Sequence, residues 1–247
     1  MELLVSYLSP QNKAKASSLA KKLDLIFLPQ EDVDLDKYCE SYFLIYQPTR
    51  SYIQKGTRNS SRDIYCDFTD WSCNFNDPLL SKCLRGLPDK FTALDATAGF
   101  GKDALEIAKS SNCHSIHLIE REKWLFYLLN EGIANSEDPK TINYLNKFTI
   151  ENDDSFKFLT KNKTNFDLIY FDPLFSGVGK SKAKKTIQAI RDLTRETNTK
   201  GFLDLAIRNS SKRVVVKRHK KSQYLEGVKP AYSVTGKVVR YDIYNSS

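Results

Sequence analysis

The chain has 247 residues, with 38 Lys plus Arg against 30 Asp plus Glu, giving a net charge of +8. A hydrophobic fraction of 40% with only 10 Gly and 8 Pro excludes collagen-like, low-complexity and wholly disordered chains. No apolar run approaches the ~18 residues of a membrane-spanning helix. Lys13 and Lys15 follow the first apolar run instead of preceding it, which is the wrong order for a signal peptide, so a cytoplasmic location is expected. The five cysteines are an odd number without a Cys-x-x-Cys pair, which argues for free thiols over a disulfide framework or zinc. No metal is expected.

The pattern predicts a strand over residues 2–7, a basic amphipathic helix over 12–22, and short aromatic-rich strands over 24–28, 41–47 and 63–68. The acidic stretch 31–36 reads as a solvated loop. Together residues 1–88 are expected to form a small N-terminal α+β appendage. Beyond Pro88 strands and helices alternate: strand 91–95, helix 103–109, strand 114–120, helix 122–133, strand 147–151, helix 155–160 and strand 166–171. The last of these is unusually apolar and is expected to be central, buried on both faces. Helices over 185–196 and 202–209 precede a fifth strand at 213–217. The segments 232–235 and 237–244, split by Gly236, predict an antiparallel hairpin at the sheet edge. The fold class is therefore α/β: residues 89–247 as a Rossmann-type doubly wound sheet of five parallel strands plus a C-terminal antiparallel hairpin.

Asp95-Ala-Thr-Ala-Gly99-Phe-Gly101-Lys102-Asp103 follows the first strand of this block. Gly99 and Gly101 permit a tight turn and close approach of a ligand to the backbone. Alone, this pattern would also suit a dinucleotide or a simple helix-capping turn. Asp95 beside the loop would repel a pyrophosphate and attract a cationic amine, such as that of S-adenosylmethionine (SAM). Glu120, at the end of the second strand, can accept hydrogen bonds from ribose hydroxyls, though it could also pair with Arg121 or Lys123 at the surface. Asp153, Asp154 and Ser155 end the third strand, where an adenine would sit; Asp154 could equally cap the next helix.

Asp172-Pro173-Leu174-Phe175 ends the apolar fourth strand. It looks like a variant of the Asp-Pro-Pro-Phe/Tyr quartets of enzymes that methylate exocyclic base amines. Such an amine is a poor nucleophile because its lone pair is delocalised into the ring. Acceptors on its hydrogens, here Asp172 and the carbonyls around Pro173, would aim that lone pair at a methyl donor, and Phe175 would stack on the base. The alternative is an Asp-Pro turn with a core phenylalanine.

These motifs, with Leu-Ile-Glu-Arg at 118–121, Lys-Arg-Val-Val-Val-Lys-Arg at 212–218 and Gly-Lys-Val-Val-Arg-Tyr-Asp-Ile-Tyr at 236–244, stand in the order found in the RsmJ family. The chain resembles that family of bacterial guanine-N2 methyltransferases of 16S ribosomal RNA from about Ile64 to Tyr244. The resemblance implies a class I methyltransferase sheet, SAM as cofactor and small-subunit ribosomal RNA as partner. It also implies cofactor contacts at Lys102, Asp103, Glu120, Arg121, Asp154, Ser155 and Asp172. Residues 69–78 depart from the basic, Gly-rich stretch usual there, as do Leu174 and Ser176 from the family pattern.

The clusters Lys180, Lys182, Lys184 and Lys185, and Lys212, Arg213, Lys217, Arg218, Lys220 and Lys221, are expected near the carboxyl edge of the sheet as phosphate contacts, extended by Tyr52, Arg58 and Arg62. Two other classes compete with a methyltransferase. An NAD-dependent oxidoreductase lacks an evident hydride-transfer acid or base beside Asp172-Pro-Leu-Phe175. A non-catalytic RNA-binding assembly factor would not need intact Gly99, Gly101, Glu120 and Asp172.

Overall fold

The computed structural model describes residues 1–34, 36–56, 63–161, 164–173, 185–194 and 199–246, with side chains from Gln188 onward in the 185–194 stretch. Arg58, Arg62, Leu174, Phe175, Lys180, Lys182, Lys184 and the Lys185 side chain lie outside these described residues. The chain divides into two compact units. The first holds Met1–Cys66, Asn130–Asn135 and a helix at 185–193, and the second holds the remainder.

In the first unit a four-stranded sheet has the order β2-β1-β3-β4, built from β1 (Leu3–Tyr7), β2 (Ile26–Phe27), β3 (Tyr42–Tyr46) and β4 (Tyr52–Lys55). β1 runs parallel to β2 and β3, whereas β3 and β4 are antiparallel. Helix α1 (Lys13–Leu23) buries Ala16, Leu19, Ala20 and Leu23, a spacing that forms one apolar stripe against β1. The strand expected over 63–68 reduces to a single antiparallel bridge between Ile53 and Ile64. Asp67 then ends the extended chain by capping α2 (Phe68–Asn74), its carboxylate accepting from the Asp70 N–H at 3.0 Å.

The second unit contains α2, α3 (Pro78–Cys83), β5 (Phe91–Asp95), α4 (Lys102–Ala108), β6 (Cys113–Ile119), most of α5 (Lys123–Ala134), α6 (Pro139–Leu145), β7 (Phe148–Glu151), α7 (Ser155–Lys161) and β8 (Phe166–Phe171). After α8 (Lys185–Leu193), which belongs to the first unit, come α9 (Phe202–Arg208), β9 (Ser210–His219), β10 (Tyr232–Thr235) and β11 (Val239–Asn245). The seven strands take the order β10-β11-β9-β8-β5-β6-β7. β5 to β9 are parallel, β11 is antiparallel to β9, and β10 and β11 form an antiparallel pair, as the sequence predicts. β8 is the middle strand and its apolar run is buried on both faces.

Alternation along the strands decides which residues reach the site. Ile169 and Phe171 of β8, with Val214 and Val216 of β9, join Leu159 of α7 and Phe202, Leu203 and Ala206 of α9 in one core. Tyr170, Asp172, Val215 and Lys217 therefore project from the opposite face. The register places Asp95 beside Tyr170, Tyr170 beside Val215, and Lys217 beside Tyr241 of β11.

Candidate active site

Loop geometry at the carboxyl end of β5 comes from two left-handed glycines, Gly99 at φ +57° and Gly101 at φ +77°. A Cβ on Gly101 would lie 2.8 Å from Leu129 Cδ1 and 2.9 Å from Phe68 Cζ, so this glycine serves packing. A Cβ on Gly99 would meet nothing closer than the Thr97 carbonyl at 3.8 Å, so this part of the loop presents open backbone. The loop is tied to its neighbours: the Gly101 N–H donates to the Ala98 carbonyl, the Ala98 N–H to that of Ile119, and the Ala96 N–H to that of Tyr170.

Asp95 is buried at the base of this loop. Its Oδ1 accepts from the Thr97 N–H at 3.0 Å, while its buried Oδ2 has no hydrogen-bond partner among the described residues. Burial pushes its carboxyl up to about 8, offset in part by the Thr97 N–H and reinforced by the neighbouring acids Asp103, Asp172 and Glu120. Glu120 is also buried. It accepts from the Gly99 N–H at 2.8 Å on one oxygen and from the Glu122 N–H at 2.8 Å on the other. Burial lifts Glu120 to about 7 against the pull of those two amides. Glu120 thus shapes the glycine loop directly, and each oxygen has a second lone pair for a ligand hydroxyl. Asn152 joins the ends of β6 and β7 by donating to the carbonyls of Glu120 and Arg121.

Farther along the edge, the Asp172 N–H donates to Thr97 Oγ1 at 2.7 Å, linking the Asp-Pro turn to the glycine loop. Lys217 Nζ lies 2.6 Å from Asp103 Oδ2 and 3.2 Å from Asp172 Oδ2. Asp103 Oδ2 also accepts from the Tyr170 hydroxyl at 2.6 Å. Burial works against the Lys217 charge, but Asp172 and Asp103 outweigh it and hold the ammonium above the ordinary lysine range.

The sequence-predicted residues Asp95, Gly99, Gly101, Asp103, Glu120 and Asp172 all come to the carboxyl edge of one sheet, with Pro173 buried beside them. Asp154 caps α7 by accepting from the Phe156 and Lys157 N–H groups, both at 3.1 Å, and Ser155 is the first residue of that helix. Arg121 pairs with Glu122 at 3.3 Å at the surface. The Lys102 ammonium is placed over the rings of Phe75, at 4.2 Å, and Trp71, at 5.3 Å.

Three cations expected on phosphates are committed elsewhere. Lys217 faces inward to Asp103 and Asp172, and Arg218 is buried on the opposite face and donates to the Gln223 carbonyl. Arg213 donates to the carbonyls of Cys83 and Arg85. Lys212 and Arg213 also stand near the amino end of β9, so Lys212 is about 26 Å along the strand from Lys220 at ~3.3 Å per residue. The sequence reading missed the roles of Thr97, Tyr170 and Lys217. For Tyr170 and Lys217 the signal was available: each shares, two residues on or across a register pair, the strand face that Asp172 occupies.

An unpartnered buried carboxylate oxygen on Asp95 and open backbone at Gly99 suit a ligand with a cationic amine lying along the loop. A family model described as "Putative SAM-dependent methyltransferase" matches residues 37–246. The chain belongs to this family of SAM-dependent methyltransferases. Its cofactor is S-adenosylmethionine. A relative from Francisella tularensis subsp. novicida named "Ribosomal RNA small subunit methyltransferase J" is 29% identical over 85% of this chain and 94% of its own. A relative of the same name from Hahella chejuensis is 28% identical over 98% of this chain and 95% of its own. The crystal structure of a SAM-dependent methyltransferase from Neisseria gonorrhoeae aligns with all of this chain and 96% of its own at a TM-score of 0.69. At 21% identity that likeness speaks for the methyltransferase fold alone. Among the described residues no helix is long and apolar enough to cross a membrane.

Proposed function

We propose that this methyltransferase modifies the exocyclic N2 amine of a guanine in the RNA of the small ribosomal subunit, acting in the cytoplasm. The observation that carries this reading is Asp172, held beside the Asp95–Gly99–Glu120 cradle in a chain whose relatives bear the small-subunit name. SAM, when bound, supplies a methyl group made electrophilic by its sulfonium. In this reading Asp95 gives its unpartnered oxygen to the cofactor's amine, Glu120 receives the ribose hydroxyls, and Gly99 lets the backbone approach. Asp154 and Ser155 flank the adenine, Arg121 lies outside it, and Lys102 and Asp103 border the glycine loop. The Lys102 ammonium meanwhile braces α2 through Trp71 and Phe75.

Asp172 accepts a hydrogen bond from the target amine, and a carbonyl of the Pro173 turn takes the other hydrogen. The negative charge on Asp172 matters most as the nitrogen becomes cationic, so it favours the transition state over the bound base. Phe175 stacks on the guanine, which has to be splayed from its helix. Exposed Lys220, Lys221 and Lys237 border the same edge: β9 ends there, β11 begins there, and the Lys220 N–H is bonded to the Val238 carbonyl. These are the described cations best placed for the RNA backbone.

Nucleoside mass spectrometry on small-subunit RNA from cells deleted for this gene tests the reading. One N2-methylguanosine should disappear and return on complementation; an unchanged nucleoside profile would refute it.

A further inference from the structure

We propose that Lys217 is a positioning residue for methyl transfer, holding the Asp172 carboxylate in place and in its charged form through a bridge shared with Asp103. The inference rests on the role given to Asp172 above. Lys217 follows three buried valines, Val214, Val215 and Val216, at the point where β9 reaches the carboxyl edge. An apolar residue would continue that strand without the cost of withdrawing an ammonium from water. The alternation of β9 turns Lys217 toward the face that carries Tyr170, Asp172 and Asp95, where helix α4 supplies Asp103. Asp103 Oδ2 receives both the Lys217 ammonium and the Tyr170 hydroxyl at 2.6 Å, so two central strands and one helix anchor the lysine. From that anchor Nζ reaches Asp172 Oδ2 at 3.2 Å.

Charge explains why a cation is needed. Among the described residues, the charges that reach Asp172 come from Asp95 of β5, Tyr170 on its own strand, Lys217 and Arg218 of β9 and Tyr241 of β11, with Asp103 of α4 on the same lysine and Glu120 on the far side of Asp95. Four carboxyl groups at one edge favour retention of protons, and a protonated Asp172 could not meet a developing cation with full charge. Lys217 touches both Asp103 and Asp172, and its positive charge 3.2 Å from Asp172 Oδ2 favours the carboxylate form that the reaction needs.

The decisive experiment is a carbon-13 NMR titration of the aspartate carboxyls in the full chain, with Asp172→Asn and Asp103→Asn for assignment. In Lys217→Met the Asp172 carboxyl should hold its proton to a pH roughly one to two units higher than in the wild type, the range expected on losing a contacting opposite charge. Lys217→Arg should keep it near wild type. An unchanged titration in folded Lys217→Met overturns the proposal. So does failure of both neutral variants, Lys217→Met and Lys217→Gln, to fold, which would make Lys217 a folding residue. Single-turnover methylation of small-subunit RNA at saturating SAM gives the second readout. The Lys217→Met defect should be larger at pH 5 than at pH 8.5, following a raised acid limb. An equal defect at both pH values would overturn the positioning role. A wild-type protein inactive on this RNA would refute the proposed function, while the titration would still decide the claim about Lys217.

Discussion

Asp95 and Glu120 are acids kept where water does not reach, at about 8 and about 7, and both values carry consequences for binding. In each case the folded value lies above the ordinary carboxylate range. The folded chain therefore binds protons more tightly than the unfolded one, and its stability without cofactor falls as pH rises from about 4 through 8. A cationic ligand reverses the preference, since it favours the ionised acid. SAM affinity should rise with pH by up to about tenfold per unit below pH 7, with proton release on binding. Calorimetry in two buffers of different ionisation enthalpy measures both; a dissociation constant flat from pH 6 to 8 would remove Asp95 as the amine partner. Glu120→Ala deletes charge-assisted hydrogen bonds and frees the Gly99 amide, so SAM should bind about ten- to a hundredfold more weakly. Asp95, Glu120 and Asp172 were readable as acids at strand ends. Lys217 was misread as a phosphate contact because lysines at 212, 217, 220 and 221 look alike in one dimension, and only the strand's alternation and register separate inward from outward.

At the scale of elements, the parallel strands and the terminal hairpin were legible because apolar runs and glycine breaks coincide there. Three helices were not. α2, α3 and α6 span seven, six and seven residues, too short for a periodic stripe, and α3 and α6 open with Asp77-Pro78 and Asp138-Pro139. An Asp N-cap followed by Pro at the first helical position was the available signal, hidden because Asp-Pro also marks turns. The glycine loop yields a contrast between its two glycines. Gly101→Ala places a Cβ into Leu129 and Phe68 at a left-handed backbone and should cost roughly 2–4 kcal/mol. Gly99→Ala should cost only about 1–2 kcal/mol, its left-handed strain, yet weaken SAM about tenfold or more by filling the cradle. Thermal melting and SAM calorimetry on both variants separate the two effects. Wild-type SAM affinity in Gly99→Ala would mean that the cofactor does not lie along this loop.

For the whole molecule, a net charge of +8 suits a polyanionic partner, but the structure narrows which charges can serve. Arg213, Lys217 and Arg218 are spent on the protein's own carbonyls and carboxylates. Lys220, Lys221 and Lys237 remain exposed at the edge that carries Asp172. Neutralising these three should lower the slope of log affinity for RNA against log salt by about two to three, at roughly 0.7–0.9 per phosphate contact, and leave SAM affinity unchanged. An unaltered slope would route the RNA elsewhere. Methyl transfer to guanine N2 under the control of Asp172, as proposed above, is put to the test by rapid-quench single turnovers of purified protein with methyl-labelled SAM on unmodified small-subunit RNA, followed by nucleoside mass spectrometry. Label should appear in N2-methylguanosine alone, and Asp172→Asn should turn over about 10²–10³ more slowly at nearly unchanged RNA affinity. Label at any other position, or a rate for Asp172→Asn within a few-fold of wild type, would contradict it.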